Sequence, residues 1–441
     1  MFRLQNFSRQ PSEDEWERLS LYSLRICGLM NIGGVFPSGE ALKLLTTRFS
    51  NGCMIPRLRE IRWDEVHPEH LELILPLVVS PVLTNFRLGI SSAHGNADPL
   101  KFVSAIKALT PAYNSLVDIQ FFNTPEHDPL PFDAASTLLF KCNPDKLQHF
   151  HMHSPLFEEA FLHVAQLPNL KAFSVVFDAT ELRTPLPMAM FPLLESLDIV
   201  TINTRSPLLQ TLTRIQSRTF SRLDLEFPAA DVTTFLPKTV EALQSRKLQQ
   251  TLSVLSVRPD DNFDLNTDFV RPLLFLRQLT ILLIGGACHP QCTYNLGDED
   301  LENIAVAMPK LKILSLGDFP CSHPANTTTK GLASIAKHCK NLNELAIHTN
   351  VDTVIGEILR SDYWGFDQMM EIPSPLFVDC PVRTITFGPC PIPGERGATI
   401  FARTLIRLFP HLDTSHAFPE PGGETNPLWD MVSRLVLVYR A

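Results

Sequence analysis

The sequence predicts an α/β solenoid: a curved, right-handed array of strand–helix units, with a parallel sheet on the concave face and helices on the convex face. Three observations predict it. The stretch from Met308 to Asn350 carries the spacing L-x-x-L-x-L twice, as Leu311-Leu314-Leu316 and Leu342-Leu345-Ile347. The last two residues of each triplet are two apart, so they face one way on a short strand. Between the triplets, Leu332, Ile335 and Ala336 keep the i, i+3, i+4 spacing of an amphipathic helix, with Gly331 near its start. The triplet also recurs along the whole chain. One strand and one helix per unit, repeated, is the signature of a leucine-rich repeat.

In order, the triplets are Leu21-Leu24-Ile26, Leu58-Ile61-Trp63, Leu83-Phe86-Leu88, Leu116-Ile119-Phe121, Leu147-Phe150-Met152, Leu170-Phe173-Val175 and Leu194-Leu197-Ile199. Then come Phe220-Leu223-Leu225, Leu252-Leu255-Val257, Leu279-Leu282-Ile284, the two above, Val382-Ile385-Phe387 and a degenerate last turn at Leu412. Successive starts lie 23 to 40 residues apart, so about fourteen irregular repeats joined by loops of varied length are expected. Helices are expected at 39–49, 99–109, 158–167, 207–215, 298–308 and 397–409. Asp298, Glu299 and Asp300 stand where negative charge suits a helix N-terminus. Prolines such as Pro56, Pro168, Pro192, Pro309 and Pro410 stand just before the first apolar residue of a triplet, as helix-end punctuation. The Asn or Cys that commonly follows each triplet is represented only by Asn350, so the turns require other partners. The expected division is a tail or remnant linker at 1–20, a solenoid at 21–415 with an insertion at about 353–380, and a capping segment at 416–441. In that cap, Leu428, Val432, Leu435 and Val436 keep helical spacing.

Composition narrows the function. A net charge of −9 without a basic block argues against nucleic acid or an anionic membrane as partner. Nine cysteines at irregular spacing fit free thiols in an intracellular protein, cytoplasmic or nuclear. The N-terminus has no apolar signal-peptide core, and the apolar run from Leu71 to Leu83 is too short and too proline-rich to span a bilayer.

The stretch from Trp16 to Ile26 resembles the first strand after the F-box in fungal F-box-like leucine-rich-repeat proteins, and Phe49 to Trp63 resembles their second repeat. The stretch GLASIAKHCKNLNELAI, starting at Gly331, is similar to the repeats of F-box/leucine-rich-repeat ubiquitin-ligase receptors. The resemblance implies a substrate-recognition solenoid, partnered by a ligase adaptor if an F-box lies upstream. Only twenty residues precede Leu21, too few for the family's three-helix recruiting module. No adaptor-binding residue carries over.

Strand alternation names the outward positions. His149, His151 and His153 flank the inward Phe150 and Met152, and Glu60, Arg62, Asp64, Asn85, Arg87, Asp118, Gln120 and Phe122 occupy the same face of the preceding strands. This mixed-charge surface with one aromatic is the expected protein-binding face, because Arg and aromatic residues are enriched at interfaces. The plainer reading is a solvated sheet face. Three imidazoles could hold a metal, but same-face neighbours lie about 7 Å apart along a strand, which is wide for one ion. Further along, Val254, Ile281, Leu283 and Ile313 are outward and apolar, and need a partner or the chain's own insertion to cover them. That insertion carries Tyr363, Trp364, Phe366, Met369 and Met370, and is expected to act as a lid. Cys288, Cys292, Cys321 and His323 have loose zinc-ligand spacing, although free cysteines often serve as small apolar residues. No Walker, nucleophile-elbow, zincin or dinucleotide motif is present. The reading is therefore a protein-binding module rather than an enzyme, with no cofactor. It is either a ligase substrate receptor or a plain interaction scaffold.

Overall fold

The computed structural model describes residues 10–31, 39–49, 53–66, 68–90, 106–123, 132–177, 185–201, 208–228, 232–259, 264–285, 293–317, 325–351, 379–388, 392–417 and 427–440. The chain divides into two units, residues 1–199 with 214–219, and residues 200–213 with 220–441.

Four strands are entered through a turn that proline presets. In Ile55-Pro56-Arg57-Leu58, Ser80-Pro81-Val82-Leu83, Met308-Pro309-Lys310-Leu311 and Phe409-Pro410-His411-Leu412, the leucine N–H donates to the carbonyl three residues back, at 3.0 to 3.2 Å. Proline's fixed φ suits the second position of such a turn. The turn delivers the first leucine of the triplet into the core, where Leu58, Leu83, Leu311 and Leu412 are fully buried. The prolines thus do more than stop helices.

In the first unit the parallel strands are β1 (Gly28–Asn31), β2 (Glu60–Val66), β3 (Asn85–Ile90), β4 (Asp118–Asn123), β5 (His149–Pro155), β6 (Ala172–Phe177) and β7 (Ser196–Thr201), side by side in chain order. Helices α1 (Glu13–Ser23), α2 (Gly39–Arg48), α3 (Pro68–Val78), α4 (Phe132–Lys141) and α5 (Glu158–Ala165) alternate with them. In the second unit α6 (Leu208–Leu212) precedes β8 (Arg222–Phe227), α7 (Val232–Ser245), β9 (Val254–Pro259), a two-residue β10 (Asp264–Leu265) and α8 (Thr267–Val270). There follow β11 (Ile281–Ile284), β12 (Thr293–Tyr294), α9 (Asp298–Ala307), β13 (Ile313–Leu316), α10 (Thr329–His338), β14 (Glu344–Ile347), β15 (Thr384–Phe387), α11 (Gly394–Leu408), β16 (Thr414–Ala417) and α12 (Pro427–Arg440). Its sheet runs β8-β9-β11-β13-β14-β15-β16, and β10 pairs with β12 apart from it. The sheets are open, all-parallel and alternate with helices: the architecture is a leucine-rich-repeat solenoid.

Register aligns the triplets. Ile61, Phe86, Ile119, Phe150 and Phe173 form one buried row, and Leu255, Leu282, Leu314, Leu345 and Ile385 form its counterpart in the second unit. Phe150 stacks on Phe173 along the first row, with centroids 6.3 Å apart, and Phe86 meets Phe121 of the adjacent row edge-on at 5.8 Å.

The first triplet is corrected. Leu21, Leu24 and Ile26 do not form a strand: Glu13–Ser23 is helix, and the strand begins at Gly28. Ser12 Oγ accepts from Glu15 N–H while the Glu15 carboxylate accepts from Ser12 N–H, a capping box over an acidic first turn. Trp16 packs edge-on against Phe49 at 6.4 Å, so Trp16, rather than Leu21, is the inward anchor. The resemblance of this stretch to a family's first strand fails here for the same reason. Residues 99–105 and most of the insertion lie outside the described residues. At the chain's end Trp429 of α12 stacks on Phe387 at 5.3 Å and meets Phe401 at 5.8 Å. No helix among the described residues is long and apolar enough to cross a membrane.

Two side chains join neighbouring repeats of the second unit. The Asp298 carboxylate, at the start of α9, accepts from Thr328 N–H at 2.7 Å, Thr328 Oγ1–H at 2.6 Å and Gly331 N–H at 2.9 Å, so it caps α10 of the next repeat. A Cβ on Gly331 would lie 2.6 Å from that carboxylate, so glycine is required there. His348 is 2% exposed, follows β14, and lies between Gly317 and Gly388 with Tyr294 at 4.8 Å. A Cβ on Gly388 would meet its Nδ1 at 2.1 Å.

Asp298→Ala should lower stability by about 2–3 kcal/mol, because two N–H groups at the start of α10 lose their acceptor; chemical denaturation measures this, and Asp298→Asn should recover part of the loss. Gly388→Ala should destabilise by about 1–3 kcal/mol through the clash with His348. Combined with His348→Ala it should cost less than the sum of the two single changes, read from thermal melts as a double-mutant cycle. His163, whose buried Nε2 has no hydrogen-bond partner among the described residues, has its pKa lowered by desolvation, partly offset by a backbone hydrogen bond to Leu139. A lowered folded-state pKa means that the unfolded chain binds the proton more readily. Stability is therefore lost as pH falls below about 6.5. His163→Gln should flatten that slope in melts taken from neutral to mildly acidic pH.

Candidate partner-binding face

In the first unit the parallel register turns the predicted outward residues into rows across adjacent strands, about 4.8 Å apart. One row is Glu60, Asn85, Asp118, His149 and Ala172; the next is Arg62, Arg87, Gln120, His151 and Ser174. Glu60, Arg62, Arg87, Asp118, Gln120, Phe122, His149 and His151 are all partly exposed. The face therefore collects eight of the ten expected residues. Asp64 lies where the β2–β3 register shifts, between Trp63 and Val66. The side chains of Asp64 and His153 are outside the described residues.

The rows have internal structure that spacing alone did not reveal. Gln120 donates both of its short contacts to Asp118, at 3.0 and 3.1 Å, and His149 Nδ1 lies 4.0 Å from the same carboxylate. Asp118 is thereby fixed between an amide and an imidazole. Arg87 sits over the Phe122 ring, with Cζ 4.5 Å from the centroid. Gly89 is the register partner of Phe122, so no side chain on β3 competes for the space beside the ring. Arg62 is next to Arg87 in register, and its buried Nε has no hydrogen-bond partner among the described residues. Arginines at neighbouring register positions, one of them over a half-buried aromatic ring, suit a carboxylate-bearing, partly apolar protein segment.

The register extends this face beyond the predicted residues. Ser174 donates to Asp198 at 2.8 Å within the first unit. In the second unit Arg222 Nε donates to Asp224 at 2.5 Å, and Asp224 is 6% exposed. The sequence signal was available, since each stands at an outward triplet position. In the second unit Val254, Ile281, Leu283 and Ile313 stand at outward register positions and are partly exposed. The aromatic segment proposed as their lid lies outside the described residues, as do Cys288, Cys292, Cys321 and His323. Among the described residues no three His, Cys, Asp or Glu converge to hold a metal. Burial pushes the Cys142 and Cys339 thiols up to about 12, so both pack as small apolar groups.

No family model matches the sequence, and no curated protein matches it. Among solved structures the chain is similar to one in the crystal structure of the Rad7 and Elc1 complex in yeast, with a TM-score of 0.44 and 13% identity, covering 85% of this chain and 88% of that one. It is also similar to a chain in the Toll–Spatzle complex of Drosophila, with a TM-score of 0.35 and 12% identity, covering 86% of this chain and 48% of that one.

Proposed function

We propose that the chain is a protein-binding module whose contact surface is the outward face of β2 to β5, and that it serves as the substrate-recognition part of an F-box-like ubiquitin-ligase receptor. The observation that carries the binding role is the register pairing of the partly exposed Arg62 and Arg87, with Arg87 over the Phe122 ring. A partly exposed guanidinium on a strand face is suited to an incoming carboxylate or backbone carbonyl. The surrounding Glu60, Asp118, His149 and His151 supply an acidic and polar rim that would select partner charge. The ligase assignment rests on the sequence resemblance of the repeats. The competing reading, an interaction scaffold with no ligase link, uses the same face. No catalytic residue is assigned, and the chain is proposed not to be an enzyme.

The paired change Arg62→Glu with Arg87→Glu should weaken partner capture by about tenfold or more, with a stability change below about 1 kcal/mol because both side chains are partly exposed. Affinity capture from lysate with mass spectrometry reads the first, and thermal unfolding reads the second. Unchanged capture would remove this face as the contact. Co-recovery of a ligase adaptor and cullin with the unmodified chain would support the receptor reading. Recovery of other proteins, lost in the double variant, would leave the scaffold.

A further inference from the structure

The last strand of the second unit is covered. Ser433 of α12 donates to the Ser415 carbonyl of β16, and α12 buries Trp429, Val432 and Val436. Among the described residues no strand lies beyond β1, whose one strand neighbour is β2. An open edge of backbone donors and acceptors is a template for another strand. Around it the chain exposes large apolar side chains: Leu21 at 64%, Tyr22 at 52%, Leu24 at 44% and Met30 at 54%. All lie on α1, on β1 or on the few residues between them.

The outer face of α1 supplies a charge pattern. Trp16 and Ser23, seven residues apart, are the buried residues of the helix, so Asp14, Glu17, Arg18 and Leu21, spaced i, i+3, i+4, i+7, form the opposite face. All four are exposed, and neither Glu17 nor Arg18 has an ion-pair partner among the described residues. A two-fold axis passing between residues 17 and 18 sets two copies of α1 antiparallel. It brings Glu17 of each copy to Arg18 of the other, twice, whereas a parallel arrangement would oppose like charges. The same antiparallel sense is what two β1 edges need to pair across a two-fold axis. The open edge, the apolar residues and the adjacent opposite charges therefore point to one occupant, a second copy of this chain.

We propose that the chain forms a two-fold dimer through the β1 edge and the outer face of α1. Pairing the two edges closes both, which limits assembly to a dimer and removes the exposed strand. The test is light scattering coupled to size exclusion on the full chain at tens of micromolar, with circular dichroism on every variant. The unmodified chain is expected as a dimer, and Met30→Glu combined with Leu21→Glu as a folded monomer. Glu17→Arg, which opposes like charges, should weaken the dimer about tenfold, and Glu17→Arg with Arg18→Glu should restore it, since the swap regenerates both pairs. A monomeric unmodified chain overturns the proposal. So does a dimer indifferent to the Met30 and Leu21 changes, or a charge swap that fails to restore what the single reversal removed.

Discussion

One backbone interaction recurs at most of the described strand entries, and the register follows from it. The carbonyl just before each strand accepts two consecutive N–H groups from the next repeat. Cys27 accepts from Arg59 and Glu60, Arg59 from Thr84 and Asn85, Thr84 from Val117 and Asp118, and Val117 from Gln148 and His149. In the second unit Ser253 accepts from Thr280 and Ile281, Thr280 from Lys312 and Ile313, and Lys312 from Asn343 and Glu344. A carbonyl has two lone pairs, so both donors are satisfied by one acceptor. The geometry locks successive strands at the same offset, and a slip of one residue would move every leucine to the opposite face.

Irregular loop length is tolerated because this lock is local. A repeat touches chiefly its neighbours, so the spacing between triplets can vary widely while the strand entry stays the same. A tight turn, led by proline at four strands, brings the first triplet residue to the core, and the doubly accepting carbonyl fixes the next strand beside it. Where the Asn expected after a triplet is missing, the backbone continues the ladder. Gly285, Gly317 and Gly388 donate to Val257, Ile284 and Ile347 respectively. His348 then occupies space that Gly388 leaves open, and Asp298, at the start of α9, caps α10. These are contacts between repeats that stand in for a repeated side-chain ladder.

The same lock organises the outward surface. Arg62 and Arg87 are adjacent because β2 and β3 are in register, not because 25 residues of sequence separate them by design. Phe122 finds Arg87 because Gly89 leaves the neighbouring position empty. Asp118 is held by Gln120 on its own strand and approached by His149 on the next. A surface of this kind can recognise a partner with little rearrangement, since its side chains project from strands rather than loops.

The sequence by itself determined the repeat, the inward triplets from Leu58 onward, most helices and the outward alternation, because each depends on a period of two or 3.6 residues along one segment. It failed at Leu21-Leu24-Ile26. There the spacing fits a strand, but a capping box at Ser12 and Glu15 and the packing of Trp16 on Phe49 favour a helix, and the latter contact is 33 residues long in sequence. Only the tertiary structure decided which residues meet: the Arg87–Phe122 pair, the Asp118 cluster and the Asp298 cap on α10. These depend on the register between segments, which hydrogen bonds across repeats set and which no single segment encodes.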